Sequence, residues 1–428
     1  MLVEFTVNNF KSIKESIKFS MLTATHNKDE NINAIFDIRN YKLLSSAIIY
    51  GANASGKSNF LRAMAFMSRF VLNKFKILQS TDKLPHEPFK LCSETENSSS
   101  IFEIVFFINE IKYRYGFEMD NETIYAEWLF ADEKGKEAKL FIRDIDEVDY
   151  VNPNKFKEGF AFFDKKTQKI RIAKNQLFIW KCDQEEGEIS KSILQWFNSF
   201  NMIDGMDHQG YINFTMKKME DDNFKDKIIE LVKTADIDID DISIEEDDVP
   251  LEIIEKLPMP DSMKKEILND GGLKSIAINT KHKKYDGNGN IVGDVVFELD
   301  KEESKGTRKF FAMSAPIIDT LQNGKILIID ELDASLHPIL TQHLIKLFHD
   351  ENINKKNAQL IFATHDTNLL KPHIFRRDQI WLTEKDKYGS TDLYSLAQFK
   401  GVRAKEDFEK QYIQGKYGAI PYLGKFEF

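Results

Sequence analysis

The stretch that most constrains this chain is Gly51-Ala-Asn-Ala-Ser-Gly56-Lys57-Ser58. It lies between an apolar run, Ser46–Tyr50, and a helix-like run, Asn59–Met67. A chain that leaves a buried strand and enters a helix through two such glycines can curl so that successive N–H groups converge at the helix start. The helix dipole adds partial positive charge at the same place. The spacing is that of a phosphate-binding loop. It commits the fold to an α/β sheet with the loop at the C-terminal edge of its strand. On this reading Gly51, Asn53, Ser55, Gly56, Lys57, Ser58 and Asn59 hold a nucleotide, with Lys57 bridging β- and γ-phosphates and the Ser58 hydroxyl holding Mg²⁺. The competing reading is a glycine-rich turn with no ligand.

A second half of such a site lies far downstream. Lys325-Ile-Leu-Ile-Ile-Asp330-Glu331 reads as a fully buried parallel strand with two acids at its ligand edge. Asp330 is placed to hold the Mg²⁺ shell and Glu331 to orient and polarise the attacking water. Leu332-Asp-Ala-Ser-Leu-His-Pro338 follows, with Ser335 as helix cap, Pro338 in the first turn, and Leu336, Ile339, Leu340, Leu344, Leu347 and Phe348 facing inward. A further strand, Gln359–Thr364, ends at His365, within reach of a γ-phosphate and the water. Upstream, Glu303-Ser-Lys-Gly-Thr-Arg308 opens a helix and is a second candidate anion site.

Elsewhere the chain reads as follows. Residues 1–22 form a hairpin around the turn Asn9–Ile13, and 23–45 are polar and loop-like, a resting place for adenine. Ile101–Ile108, Ile111–Glu118 and Ile124–Phe130 are antiparallel strands, with shorter ones at 139–143, 159–163 and 168–172. Residues 184–235 are mostly helical. Asp236–Asp248 alternates acids with isoleucines, either a solvated edge strand or a carboxylate metal site. Lys281–Lys284 is a basic patch beside a turn at Asp286–Gly289, either a charged hairpin tip or a nucleic-acid contact. These readings divide the chain into an N-terminal lobe (1–130), an insert (131–293) and a C-terminal lobe (294–428). The fold class is α/β: a mixed or parallel sheet flanked by helices, with an added antiparallel region and a mostly helical insert.

Charge excludes little. The 428 residues carry 59 basic and 69 acidic side chains, so a net charge of −10 gives no overall support for nucleic-acid binding. No apolar run reaches bilayer-spanning length, and Met1–Val7 reads as a strand and not a signal peptide. Two unpatterned cysteines, Cys92 and Cys182, point to a reducing, cytoplasmic setting. No sustained heptads are present. A guanine-reading Asn-Lys-x-Asp is missing, because Asn27-Lys-Asp-Glu30 lacks the final Asp.

Phosphate loop, Ser-x-Gly segment, strand ending in Asp-Glu, Leu-Asp-x-Ser-Leu-His-Pro turn and strand-terminal His, in that order, resemble the ABC-type ATPases of the SMC/RecF class. Asn9-Phe-Lys-Ser-Ile13 is similar to the first hairpin of that class. Glu303–Arg308, Asp330–Pro338 and Tyr412-Ile-Gln-Gly-Lys-Tyr-Gly-Ala-Ile-Pro421 resemble more closely the compact bacterial ATPases of abortive-infection and anti-phage systems, related to the overcoming-lysogenisation-defect (OLD) proteins. The resemblance implies ATP and Mg²⁺ as cofactors and a head-to-head homodimer. In it Ser304, Gly306 and Thr307 of one subunit touch the γ-phosphate held by the other, Asp333 and Ser335 sit at the seam, and His365 is the switch. Ser304-Lys-Gly-Thr stands where Ser-Gly-Gly is usual, adding the charge of Lys305. About 45 residues follow Glu384, too few for the Toprim nuclease domain of the OLD relatives. The implied function is an ATP-hydrolysing defence switch that controls a separately encoded effector, with no membrane partner. The alternatives are a RecF-like DNA-repair ATPase, with DNA as partner, and a nuclease or small-molecule kinase. Arg403 and Tyr412–Pro421 are read as a tail that packs on the core or faces a partner.

Overall fold

The computed structural model describes residues 1–24, 32–204, 209–235, 238–269, 272–399, 401–402 and 406–421. Arg403, Ile237 and the segment Asn27–Glu30 fall outside these ranges.

The chain opens with the hairpin β1 (Leu2–Asn8) and β2 (Ile17–Ser20). A second hairpin, β3 (Ile35–Ile38) and β4 (Tyr41–Leu44), leads into β5 (Ser46–Gly51), the glycine loop and helix α1 (Lys57–Val71). Then come β6 (Ser100–Ile108), β7 (Ile111–Met119), β8 (Ile124–Asp132), β9 (Glu137–Asp144) and β10 (Tyr150–Val151). Short elements follow: α2 (Lys157–Phe160), β11 (Phe163–Asp164), β12 (Lys169–Ile170), α3 (Phe178–Gln184), α4 (Glu188–Phe197) and β13 (Phe200–Asp204).

The next stretch holds α5 (Gln209–Lys218), α6 (Asp222–Lys233), β14 (Ile239–Asp248), α7 (Leu251–Lys256), α8 (Asp261–Asn269), β15 (Lys274–Tyr285), β16 (Ile291–Glu298), α9 (Leu299–Glu302) and α10 (Lys305–Asn323). The chain ends with β17 (Ile326–Asp330), α11 (Pro338–His349), β18 (Gln359–Ala363), β19 (Ile380–Lys385), β20 (Thr391–Ser395) and α12 (Phe408–Ile413).

Two compact units result. The first comprises Met1–Met206, Asp319–Ala334 and Thr341–Phe428; the second comprises Asp207–Ile318 and Ser335–Leu340. Boundaries at 130 and 293 do not describe this division. Strands β9 and β10 continue the same sheet as β1, so hydrogen bonding carries the first unit past residue 130. The second unit also runs beyond 293, to Ile318.

The first unit is built on two sheets. One is antiparallel, in the order β10-β9-β8-β7-β6-β1-β2. The other has the order β13-β17-β18-β5-β19-β20, all parallel except the final pair. Helix α1 packs between them and is buried on most of its circumference. Phe60, Phe66 and Phe70 meet Phe5, Phe102 and Phe117 of the antiparallel sheet and Phe10 of the turn after β1. Leu61, Ala63, Met64, Met67 and Val71 are buried in the same core as Ile49, Ile328 and Ile361 of the parallel sheet. Burying a helix on both sides fixes the axis along which the loop presents its N–H groups, which is what a preorganised anion site needs.

Five local expectations are corrected. Residues 35–44 are the hairpin β3–β4 and not loop, because Ile35 pairs with Leu44, Phe36 with Leu43 and Ile38 with Tyr41 across a turn at Arg39 with φ 52°. Residues 159–163 hold the end of α2 and only the start of the two-residue β11. The helical reading of 184–235 missed β13, which forms because its backbone adds in parallel to β17 at the sheet edge. Ser335 does not cap a helix: it has φ 60°, and α11 begins at Pro338, where the His337 Nδ1 accepts from the Ile339 N–H at 3.3 Å. Ile339 is 68% exposed. At about 100° per residue it lies opposite the face carrying Thr341, Leu344, Ile345 and Phe348.

In the second unit β14, β15 and β16 form a three-stranded antiparallel sheet. Asp240 pairs with Lys283 and Glu246 with Lys274, so the acidic run is an edge strand matched in charge to its neighbour. Lys281 pairs with Asp294, and residues 286–290 close a charged hairpin tip. Ile276, Ile291, Val292 and Val296 of this sheet are exposed.

Candidate nucleotide site

Strand β5 is fully buried near the middle of the parallel sheet and delivers the loop to its C-terminal edge. Gly56 has φ 112° and precedes α1 with no side-chain cap, so no side chain competes for the first-turn N–H groups. A Cβ at Gly56 would lie 2.1 Å from Thr391 Oγ1; one at Gly51 would lie 2.3 Å from Thr383 Oγ1. Ala54, at the tip, has φ 62° and is exposed with Asn53.

The loop is braced from below by hydroxyls. Ser55 Oγ is 2.6 Å from Thr383 Oγ1, and the Thr391 Oγ1 donates to the Ser55 carbonyl at 2.9 Å. Ser12 Oγ is 2.8 Å from Thr391 Oγ1 and accepts from Asn59 Nδ2, also at 2.8 Å. Ser55 is therefore turned into the protein by its side chain, and Asn59 is turned toward the first hairpin. Ser12, Thr383 and Thr391 escaped the sequence reading as site residues. For Ser12 a signal existed, since it lies within the Asn9–Ile13 turn.

Lys57 Nζ donates to the carbonyls of Gly51 at 2.9 Å and Ala52 at 3.2 Å. Burial lowers its pKa to about 8, against the pull of Asp330, Glu331 and Asp333. Ser58 is half-buried at the helix start.

Across from the loop, β17 ends at Asp330, which is buried. Asp330 Oδ1 has no hydrogen-bond partner among the described residues. An unpaired buried carboxylate oxygen is costly unless a cation or its water completes it. Glu331 follows with φ 52°, a left-handed conformation that turns the chain sharply at the strand end. Asp333 accepts from Thr364 Oγ1 at 2.5 Å and from the His365 N–H at 3.4 Å, tying this turn to the end of β18. Burial and the charge of Lys57 lower the His365 pKa, with Asp333, Glu331 and Asp330 opposing. The ring is then neutral at pH 7, with one donor and one acceptor nitrogen.

One cleft of about 700 Å³ is lined by the loop from Asn53 to Asn59, Glu331, His365 and Lys385. The structure thus brings together the loop and two acid/base candidates separated by some three hundred positions in sequence. Lys385, at the end of β19, is a further lining cation that sequence reasoning missed.

The Ser304 segment belongs to the second unit. Ser304 is exposed; its Oγ accepts from the Thr307 N–H at 3.0 Å and lies 2.8 Å from Thr307 Oγ1. Gly306 lies close to the Ser335 turn, where a Cβ would stand 3.0 Å from the Ser335 carbonyl. Glu303, beneath them, is buried and accepts from His282 Nε2 at 2.7 Å and from the Thr280 hydroxyl. Among the described residues no cluster of three or more His, Cys, Asp or Glu is arranged to hold a metal, and no helix is long and apolar enough to cross a membrane.

Residues 46–371, more than half the chain, match the family model described as "AAA domain, putative AbiEii toxin, Type IV TA system". The chain belongs to this AbiEii-type AAA family. The match runs from the strand before the glycine loop to just beyond His365. This AbiEii-type protein is an ATP-binding ATPase. No curated protein matches the chain. Among solved structures, the SMC head domain from Thermotoga maritima is similar at a TM-score of 0.40 and 13% identity, covering 92% of this chain and 98% of that one. The recombination mediator protein RecF is similar in two structures. That titled RecF-ATPrS has a TM-score of 0.34 and 13% identity, over 92% of this chain and 98% of that chain. That titled RecF-ATP has 0.30 and 14%, over 85% and 93%.

Proposed function

We propose that this ATPase is the nucleotide switch of a bacterial abortive-infection-like defence system, working as a homodimer that controls a separately encoded effector. The observation that carries the reading is the single cleft holding the glycine loop, Glu331 and His365, in a chain whose family is described by a toxin of a toxin–antitoxin system. The cytoplasm is the proposed setting.

The chemistry follows from the side chains. Backbone N–H groups at the uncapped start of α1 and the Lys57 ammonium bind the phosphates. Lys57 leaves two carbonyls of its own loop to do so. Ser58 and the unpaired Asp330 oxygen fit Mg²⁺, which takes one or two protein ligands and completes its shell with phosphate and water. When bound, the ion supplies charge neutralisation at the β- and γ-phosphates. Glu331 accepts a hydrogen bond from the attacking water and draws off its proton. Neutral His365 donates to the γ-phosphate from one ring nitrogen. Ser304, Gly306 and Thr307 of a second subunit complete the far side, so turnover waits for the dimer.

Glu331→Gln tests the reading. It is expected to bind ATP as the native protein does and to lose hydrolysis by about 10²–10⁴-fold, the range for removing a general base. It should also accumulate as a dimer in light scattering with ATP. Native turnover by the variant would remove the role of Glu331; a monomer at saturating ATP would remove the shared site. Co-purification from the native operon identifies the effector.

A second reading, a DNA-repair ATPase, draws support from Lys281, Lys283 and Lys284 on the β15–β16 hairpin. Two of these are already neutralised by Asp294 and Asp240. Salt-dependent DNA binding with a slope of several phosphate contacts would favour it, and no binding at low salt would end it.

A further inference from the structure

Both neighbours of His365 are held by other parts of the chain, while its own ring is exposed. On one side Thr364 Oγ1 donates to Asp333. On the other, Tyr50 Oη donates to the Asp366 carbonyl at 2.8 Å, and Thr367 Oγ1 donates to Glu409 Oε1 at 2.9 Å. Tyr50 is the residue immediately before Gly51. Its ring lies 5.7 Å from that of Tyr412 on α12. The Tyr412 hydroxyl donates to the Ala419 carbonyl at 3.0 Å, and the single Tyr394 hydroxyl proton is shared between two acceptors, the Tyr417 carbonyl at 3.0 Å and Glu384 Oε2 at 3.1 Å. Gly418 has φ 69° and sits where a Cβ would be 2.8 Å from both Glu384 Oε2 and Tyr394 Oη. The segment 408–421 is thus folded back on itself and fastened to three places at once: the strand entering the phosphate loop, the loop after β18, and β20.

We propose that this C-terminal segment positions His365 for hydrolysis, through Glu409 on Thr367 and Tyr412 on Tyr50. Neither side chain lines the cleft shared by the loop, Glu331 and His365. Each sets the backbone of residues 366–367 relative to Tyr50, and so fixes how far the His365 ring reaches into the cleft it shares with Glu331. A second cavity, of about 750 Å³, lies between Asn53, His365, Thr367 and the segment's Tyr412 and Ile420. Movement of the segment changes the wall that backs His365. The proposal rests on the catalytic part given to His365 above.

The test uses the full chain and reads kcat for ATP hydrolysis separately from ATP affinity. Thr367→Val and Tyr412→Ala are expected to lower kcat about tenfold or more, with the Kd for a fluorescent ATP analogue within about twofold. Tyr412→Phe, which keeps the ring against Tyr50, is expected to stay close to native. In a His365→Ala background, Thr367→Val is expected to cost nothing further, because its effect passes through the missing imidazole. Equal fold losses in both backgrounds, or a loss confined to Kd, would overturn the proposal. If Tyr412→Ala does not fold, Thr367→Val decides alone, since it removes one hydroxyl at nearly constant volume. Native turnover by His365→Ala would remove the role of His365 and this proposal with it. His365-dependent turnover that Thr367→Val leaves untouched would overturn the positioning alone.

Discussion

Two helices in this chain begin with a small polar or glycine-rich segment that reads as an anion site, and they begin differently. Helix α1 starts at Gly56 with no side-chain cap and an αL backbone. Helix α10 starts beside Ser304, whose own hydroxyl takes the Thr307 N–H. A helix with its first-turn donors left open is poised for a ligand and is less stable without one. A helix that caps itself is complete in the single chain. It can still offer something: the hydroxyl of the exposed Ser304, 2.8 Å from Thr307 Oγ1. On the function proposed above, the first start holds phosphate and the second, from another subunit, reports that it has arrived.

The sharpest way to break this contrast is at the first start. Lys57→Met removes the charge-assisted bonds to phosphate, each worth about 1.5–3 kcal/mol. ATP affinity should fall by about two orders of magnitude, with hydrolysis falling at least as far. The fold should not suffer. The Lys57 pKa lies at about 8, below the ordinary 10.5, so the unfolded chain binds the extra proton between these values and the buried ammonium costs stability below pH 8. The melting temperature of Lys57→Met without nucleotide is therefore expected to match or exceed the native one. A variant that melts well below the native protein would assign Lys57 a structural role instead.

Gly56→Ala and Gly306→Ala form a matched pair. At 56 the new methyl meets Thr391 at 2.1 Å in a backbone region that alanine avoids. The loop must distort, at a strain on the order of 1–3 kcal/mol, and nucleotide binding should drop more than tenfold. At 306 the nearest atom is 3.0 Å away and φ carries no such penalty, so binding should be native. Only turnover should fall, as the face that the proposed dimer uses is altered. Calorimetric ATP titration beside a steady-state phosphate assay separates the two outcomes. Weakened binding in Gly306→Ala would contradict the division of labour.

The first start was legible in the sequence and much of its support was not. A buried run, a glycine spacing and an amphipathic run are local, so β5, the loop, α1, β17 and β18 could be read directly, as could the positions of Asp330, Glu331 and His365. The hydroxyl chain Ser12–Thr391–Ser55–Thr383 and the cation Lys385 join residues hundreds of positions apart, and nothing near any one of them announces the others. Strand β13 is short and only partly buried; it exists because β17 offers it an unpaired edge. Hairpin β3–β4 was hidden by Asp37, Arg39 and Asn40 among its apolar residues. Ile339 was misplaced because it is apolar beside an apolar face, although the helical angle alone puts it outside.

A pH titration sharpens the contrast with a smaller effect. Phosphate binds the protonated Lys57, which raises its pKa in the complex above the free value of about 8. ATP affinity should therefore be flat below pH 8 and weaken above it, by at most about tenfold per pH unit, until the pKa of the complex is reached. Lys57→Met should lose this dependence. A profile with no weakening above pH 8 would mean that Lys57 does not govern binding.

The smallest effect belongs to the second start. Ser304→Ala removes the cap on α10 and is expected to cost about 1 kcal/mol of stability, the usual value for such a cap. It should also slow ATP turnover, because the exposed Ser304 hydroxyl is gone. Ser304→Asp separates these consequences. A carboxylate caps the Thr307 N–H as well as a hydroxyl does, so the melting temperature should stay near native. It has no proton to donate and carries a charge of the same sign as the γ-phosphate, so ATP-dependent dimer formation and turnover should fall further than in Ser304→Ala. If Ser304→Asp retained native turnover, Ser304 would be a helix cap alone, and the two helix starts would differ only in that one of them holds a ligand.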